Sequence, residues 1–67
     1  MNNYTKAELE QAQGATASML HKLSKSKETM EAKGSIKPGS SQQTLIDRRI
    51  KALQISLELI TRELGDF

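Results

Sequence analysis

The chain has 67 residues, a formal net charge of +2, no cysteine and a single histidine. A chain of this length forms at most one domain, and on folding alone it buries only about 60% of the surface that its unfolded state exposes. Disulfides, a structural metal or oligomerisation usually reinforce so small a domain, and the composition leaves only oligomerisation. The sequence therefore predicts a self-associating protein, most simply a homodimer, with no metal and no cofactor.

The composition also bears on where the protein works. No apolar run approaches the roughly 18 residues that a membrane-crossing helix needs. The opening residues, MNNYTKAELEQ, carry acids and amides where a secretion signal has an apolar core after a basic tip. An absence of cysteine fits a reducing compartment. We therefore expect a soluble, cytoplasmic protein that does not contact a membrane.

The first predicted element is a long helix over about residues 6–33. Thr5 and Glu8 fit a capping box, in which a hydroxyl and an acid three residues later satisfy the free amides at a helix start. Gly34 suits the left-handed position after a helix end. Apolar and small residues recur along this helix in steps of three and four, which indicates a coiled-coil stripe. The stripe consists of Leu9, Ala12, Thr16, Met19, Leu23, Ser26 and Met30, with Leu20 beside it.

A loop over residues 34–40 and a second helix over about 41–64 complete the predicted fold. Pro38 should interrupt the first helix, and Ser40 with Gln43 can form a second capping box. The stripe of the second helix consists of Ile46, Ile50, Leu53, Leu57, Ile60 and Leu64. A loop of this length favours antiparallel packing of the second helix on the first. The predicted fold class is therefore all-α, a single antiparallel two-helix hairpin whose stripes face each other.

The second helix carries another apolar cluster besides its stripe. At about 100° per residue, this cluster lies almost opposite the stripe, so one neighbouring helix cannot cover both. The cluster consists of Leu45, Ala52, Ile55 and Leu59. We expect it to form an interface, either with a second copy to give a four-helix bundle or with an unidentified protein partner. The alternative is that these side chains are exposed without a role.

Charge is divided along the predicted hairpin. Residues 22–51 contain eight basic and three acidic side chains, a net charge of +5, and the rest contains two basic and five acidic side chains, a net charge of −3. The hairpin places the first group around the turn and the second around the chain ends. Candidate contacts to phosphates or to an acidic partner are Lys22, Lys25, Lys27, Arg48, Arg49 and Lys51. The alternative is solvated charge, and no aromatic residue lies near these side chains to stack a base.

Residues that could carry chemistry are few. His21 has no cysteine and no second histidine with which to complete a metal site. Glu58 and Arg62 are four residues apart, the spacing of a helix-stabilising ion pair. The sequence therefore predicts no enzyme and no catalytic residue. It favours a small interaction or regulatory protein that acts through protein–protein contacts as a helical-hairpin oligomer, and the alternative is a nucleic-acid-binding dimer that uses the basic end.

The segments YTKAELEQA and TLIDRRIKALQISLELITREL resemble small uncharacterised two-helix proteins of Gram-positive bacteria and their phages. The resemblance covers most of both predicted helices. It implies a helical hairpin, and it brings no activity or site residue with it.

Overall fold

The computed structural model describes residues 4–37 and 39–67 of the chain. It contains two α-helices, α1 over Lys6–Ala32 and α2 over Ser41–Gly65. These bounds lie within one residue of those expected from the sequence. Pro38, which the sequence expects to interrupt the first helix, lies outside the described residues.

The helices pack side by side in opposite directions. Gln13 near the start of α1 contacts Thr61 near the end of α2, whereas Lys27 near the end of α1 contacts Asp47 near the start of α2. The predicted all-α helical hairpin is therefore confirmed. It is a rod of 44 × 19 × 14 Å, with the turn at one end and the start of α1 and the end of α2 at the other.

Side-chain and backbone caps define both ends of α1. The Thr5 hydroxyl accepts a hydrogen bond from the Glu8 amide at 3.1 Å, and a Glu8 carboxylate oxygen accepts one from the Thr5 amide at 2.9 Å. The predicted capping box is confirmed. At the other end, Gly34 adopts the left-handed conformation with φ 68°. The amide of Ser35 then donates to the carbonyl of Met30 at 2.8 Å, which satisfies a free carbonyl of the last turn.

The cap of α2 differs from the expected box in one contact. The Ser40 hydroxyl accepts from the Gln43 amide at 3.2 Å, as predicted. The Gln43 side chain, however, accepts from the amide of Gly39 at 2.6 Å. The Ser40 amide donates instead to the carbonyl of Lys37 at 3.1 Å, so it is not available to close the box. Gly39 has φ 78°, a conformation that favours glycine.

Apolar burial is concentrated near the two ends of the hairpin. Among the described residues, the buried apolar side chains are Leu9, Ile36 and Ile46, which are 6 to 7% exposed. Leu9 lies near the chain termini, whereas Ile46 lies near the turn and the loop residue Ile36 is at the turn itself. Thr16 is also buried. None of these described side chains is fully enclosed, because two helices leave their contact open on two sides.

The predicted stripe of α2 is confirmed, and that of α1 is correct only in part. All six residues of the α2 stripe are buried or half-buried. On α1, Leu9 and Thr16 are buried as expected, but Met19 and Ser26 are exposed. The half-buried residue in place of Met19 is its neighbour Leu20. The prediction was wrong for Met19 and Ser26 because α1 is rotated about its axis, so that Leu20 and Lys27, one residue further along, face α2 in their place.

Side chains that bond across the two helices give the hairpin a polar face, which we define by Gln13, Lys27, Asp47 and Thr61. The Gln13 amide donates to the Thr61 hydroxyl at 3.1 Å, and the Lys27 ammonium donates to the Asp47 carboxylate. The Lys27 side chain is only 25% exposed. The hydrogen bond to Asp47 raises the pKa of Lys27 above its ordinary value of 10.5, against a smaller opposing effect of partial burial.

We predict that Ile46→Ala lowers the free energy of unfolding by about 2 to 5 kcal/mol, because it removes most of a buried side chain. A domain of this size has a total stability of roughly 3 to 10 kcal/mol, so the variant is expected to be partly unfolded. The control is Phe67→Ala, which truncates a larger side chain that is 62% exposed and lies outside the predicted interface. It should cost about 1 kcal/mol or less. Urea titrations followed by circular dichroism compare the two, and equal losses would contradict the packing described.

We also predict that Lys27 stabilises the hairpin in a pH-dependent manner. Because folding raises the pKa of Lys27, its contribution is complete below the ordinary value of 10.5 and is lost as the pH rises through the higher folded value. The difference in unfolding free energy between the parent and Lys27→Gln should therefore be constant near neutral pH and shrink above pH 10.5. A difference that stays the same throughout an alkaline titration would exclude this role.

Candidate interaction surface

One side of the hairpin carries a shallow apolar groove between the helices. In the half nearer the turn, Met19 and Leu23 of α1 and Ala52 and Leu53 of α2 line it. In the half nearer the chain termini, the lining residues include Leu9, Ala12 and Ala15 of α1 and Ile60 of α2. Ala12 and Met19 are seven residues apart, so both lie on the same side of α1. The two halves therefore belong to one surface.

The predicted interface residues continue this surface across α2. Leu45, Ala52 and Leu59 follow one another at intervals of seven residues and form a stripe along one side of the helix. Leu45 is 49% exposed, Leu59 is 55% exposed, and Ala52 is exposed as well. Ile55 is also exposed, and it extends the stripe away from the groove. The contact of these four residues with a partner stays a prediction.

We call the whole surface the apolar face and define it by six residues, which are Ala12, Met19, Leu23, Leu45, Ala52 and Leu59. Met19 is a member whose exposure the sequence does not predict. Its spacing predicts a place in the contact between α1 and α2, but it is 51% exposed and lines the groove beside Ala52. The hydrogen bond from Gln13 to Thr61 shows that α1 is rotated about its axis relative to the predicted packing. That rotation moves Met19 out of the helix contact and enlarges the exposed apolar area.

The basic residues near the turn are spread over several surfaces. Lys22 and Arg49 flank the apolar groove, whereas Arg48 lines a second hollow, at the start of α2, together with Leu45. Two other cations already have acidic neighbours, because Lys27 bonds to Asp47 and Lys25 lies 3.9 Å from Glu28. Lys51 is exposed on α2. Because these six cations do not share one groove, they are poorly arranged to follow a nucleic-acid backbone.

Potential metal ligands are dispersed over the part of the chain that the structure describes. The described residues contain no group of three or more His, Cys, Asp or Glu side chains placed to hold a metal ion. His21 lies beside Lys22 and Lys25 in an open hollow on α1. Arg62 donates to Glu58 at 2.8 Å, so the predicted ion pair is present, and both side chains are exposed. A pair of this kind contributes about 0.3 to 0.5 kcal/mol to helix stability.

Neither α1 nor α2 has, within the described residues, the length and apolar character of a membrane-spanning helix.

Comparisons of the chain with protein-family models, with curated proteins and with solved structures give no significant match.

We predict that the protein does not retard a short DNA or RNA duplex in a gel at about 0.15 M salt, because its cations are dispersed and partly paired. Retardation that falls steeply between low and moderate salt would favour the nucleic-acid alternative. The double variant Lys22→Glu with Arg49→Glu provides the check, because it reverses two cations of the basic end. Retardation by the parent that this variant loses would contradict our prediction.

Proposed function

We propose that this chain is a small interaction protein without enzymatic activity, which acts through protein–protein contacts as a helical-hairpin oligomer. The observation that carries the proposal is the apolar face, which the hairpin leaves uncovered. In the proposed assembly, two hairpins bring their apolar faces together and form a four-helix bundle.

The accessible surface of the hairpin supports this proposal. A compact monomer of 7.4 kDa exposes about 4,200 Å² by the usual relation between mass and area. This hairpin exposes 5189 Å², an excess of about 1,000 Å². A protein–protein interface of standard size buries about 800 Å² of accessible surface on each partner. The excess is therefore large enough to supply such an interface.

The broad side of the hairpin is also about as large as one half of a standard interface. Its broad side measures 44 by 19 Å, which corresponds to roughly 840 Å² in projection. The groove along this side is lined mostly by apolar side chains, and contiguous apolar surface of this kind usually marks an interaction site. The polar face, in contrast, has its cross-helix hydrogen bonds between Gln13 and Thr61 and between Lys27 and Asp47. The difference between the two sides favours association through one of them.

The chemistry of the site also favours binding over catalysis. The apolar face offers methyl, methylene and thioether groups, which contribute to association by leaving water. The charged side chains beside it, Lys22, Arg49 and Glu8, can select a partner by their signs. The nucleic-acid alternative rests on the net charge of +5 around the turn, which would attract phosphates at low salt.

We predict that Met19→Lys combined with Leu59→Lys abolishes self-association and leaves the hairpin folded. Both side chains are about half exposed in the hairpin, so a lysine is tolerated in the monomer. In the assembly, each lysine would place a charge in an apolar contact at a cost of several kcal/mol. Light scattering after size-exclusion chromatography should give the mass of a monomer, and circular dichroism should stay helical.

A matched control places two lysines on the other side of the hairpin. Gln54 is seven residues from both Asp47 and Thr61, and Ala17 is four residues after Gln13. Ala17→Lys with Gln54→Lys adds the same charge at exposed helical positions near the polar face. This control should keep the mass of the parent. If both double variants keep that mass, the apolar face is not a self-interface, and the proposal is wrong.

A further inference from the structure

We infer that the two hairpins of the assembly lie antiparallel, with the basic turn end of each copy over the acidic chain ends of the other. This inference rests on the proposed self-association and adds to it the identity of the occupant, a second copy, and its orientation. Charge sets the orientation, and the midpoint of α1 sets the register.

Two arrangements of two-fold symmetry bring the apolar faces together. A symmetry axis along the rod places the two turn ends beside each other, so that α1 of one copy lies over α2 of the other. An axis across the rod places the turn end of one copy over the chain ends of the other, so that α1 lies over α1 and α2 over α2. Both arrangements cover the same apolar face, and charge therefore decides between them.

Charge favours the antiparallel arrangement. The region around the turn, residues 22–51, carries a net charge of +5, and the remainder carries −3. An axis along the rod would place the two basic turn ends, each with a charge of +5, beside each other, and likewise the two acidic ends, each with −3. An axis across the rod places the basic turn end of each copy beside the acidic end of the other. Complementary potentials of this kind set the orientation of an interface.

The same division of charge is present along the groove. Lys22 and Arg49 flank the half of the groove that is nearer the turn. Glu8 lines the half that is nearer the chain termini. Antiparallel pairing therefore places cations of one copy over the part of the partner that carries an anion, at both ends of the interface. The antiparallel arrangement also separates the two basic ends by the length of the rod, which is 44 Å.

The midpoint of α1 sets the expected register. Met19 is the middle residue of Lys6–Ala32, and it lies on the apolar face. Ala12 and Ser26 lie seven residues on either side of it, about 10.5 Å along the axis, and both line the groove. When α1 lies antiparallel over its copy, Met19 is near its own counterpart. Ala12 of each copy is then near Ser26 of the other.

Single cysteines test this register directly, because the chain has no cysteine of its own. A disulfide requires two Cα atoms within about 7 Å of each other. Under mild oxidation of the full chain, Met19→Cys should form a disulfide-linked dimer by itself. A mixture of Ala12→Cys and Ser26→Cys should form mainly the mixed dimer, which mass spectrometry distinguishes from either self-linked product. Ser26→Cys alone should stay largely unlinked, and denaturant should abolish the preference in the mixture.

The parallel arrangement has a different signature. Ser26 and Arg49 lie across the groove from each other near the turn, and an axis along the rod would place Ser26 of one copy over Arg49 of the other. A mixture of Ser26→Cys and Arg49→Cys should therefore not form a mixed disulfide. If it does, or if Ala12→Cys and Ser26→Cys fail to link although the reduced variants are dimeric, the antiparallel inference is wrong. If sedimentation finds only monomers of the reduced variants and of the parent, the proposed self-association itself fails.

Discussion

The structure depends on one geometric constraint, which is that two helices in contact cannot enclose a core. Each side chain at the contact is open on both sides of the plane that contains the helix axes. Burial of apolar side chains is therefore limited among the described residues to the ends, where Leu9 lies near the start of α1 and Ile36 and Ile46 lie near the turn. Along the middle, side chains such as Leu23 and Leu53 are only half-buried. Each open side therefore either presents polar groups that water can solvate or leaves apolar side chains that a partner can cover.

The two sides of the hairpin differ in this respect. On the polar face, hydrogen-bonding side chains bridge the helices, and water can solvate whatever they leave exposed. On the apolar face, Met19 and Leu59 are about half exposed and cannot bond to water. The exposed area exceeds that of a compact monomer of equal mass by about one standard interface per copy. This asymmetry connects the sequence to the proposed function, because the side without polar contacts is the one that a second copy would cover.

Local chemistry made much of the fold predictable from the sequence. The capping box of Thr5 and Glu8 and the left-handed Gly34 are determined by neighbouring residues, and strong periodicity identified the α2 stripe.

The rotation of α1 was not predictable from periodicity alone, because Met19 and Leu20 are both apolar and either can face α2. The choice depends on how α1 packs on α2 along its whole length, and the contacts of Gln13 and Lys27 with α2 accompany it. The burial of the loop residue Ile36 also depends on contacts between distant parts of the chain. In the sequence it is indicated only by an isolated isoleucine in a polar loop. The exposure of the Leu45 cluster follows from helical periodicity, whereas what covers it is a property of the assembly.

The central claim is that the apolar face is covered by a second copy of the chain. Sedimentation equilibrium of the unmodified protein between about 1 and 100 μM tests it most directly, since association in this range corresponds to about 5 to 8 kcal/mol. The account predicts an average mass that rises with concentration from 7.4 kDa toward twice that value. A mass that stays at 7.4 kDa over the whole range would contradict it.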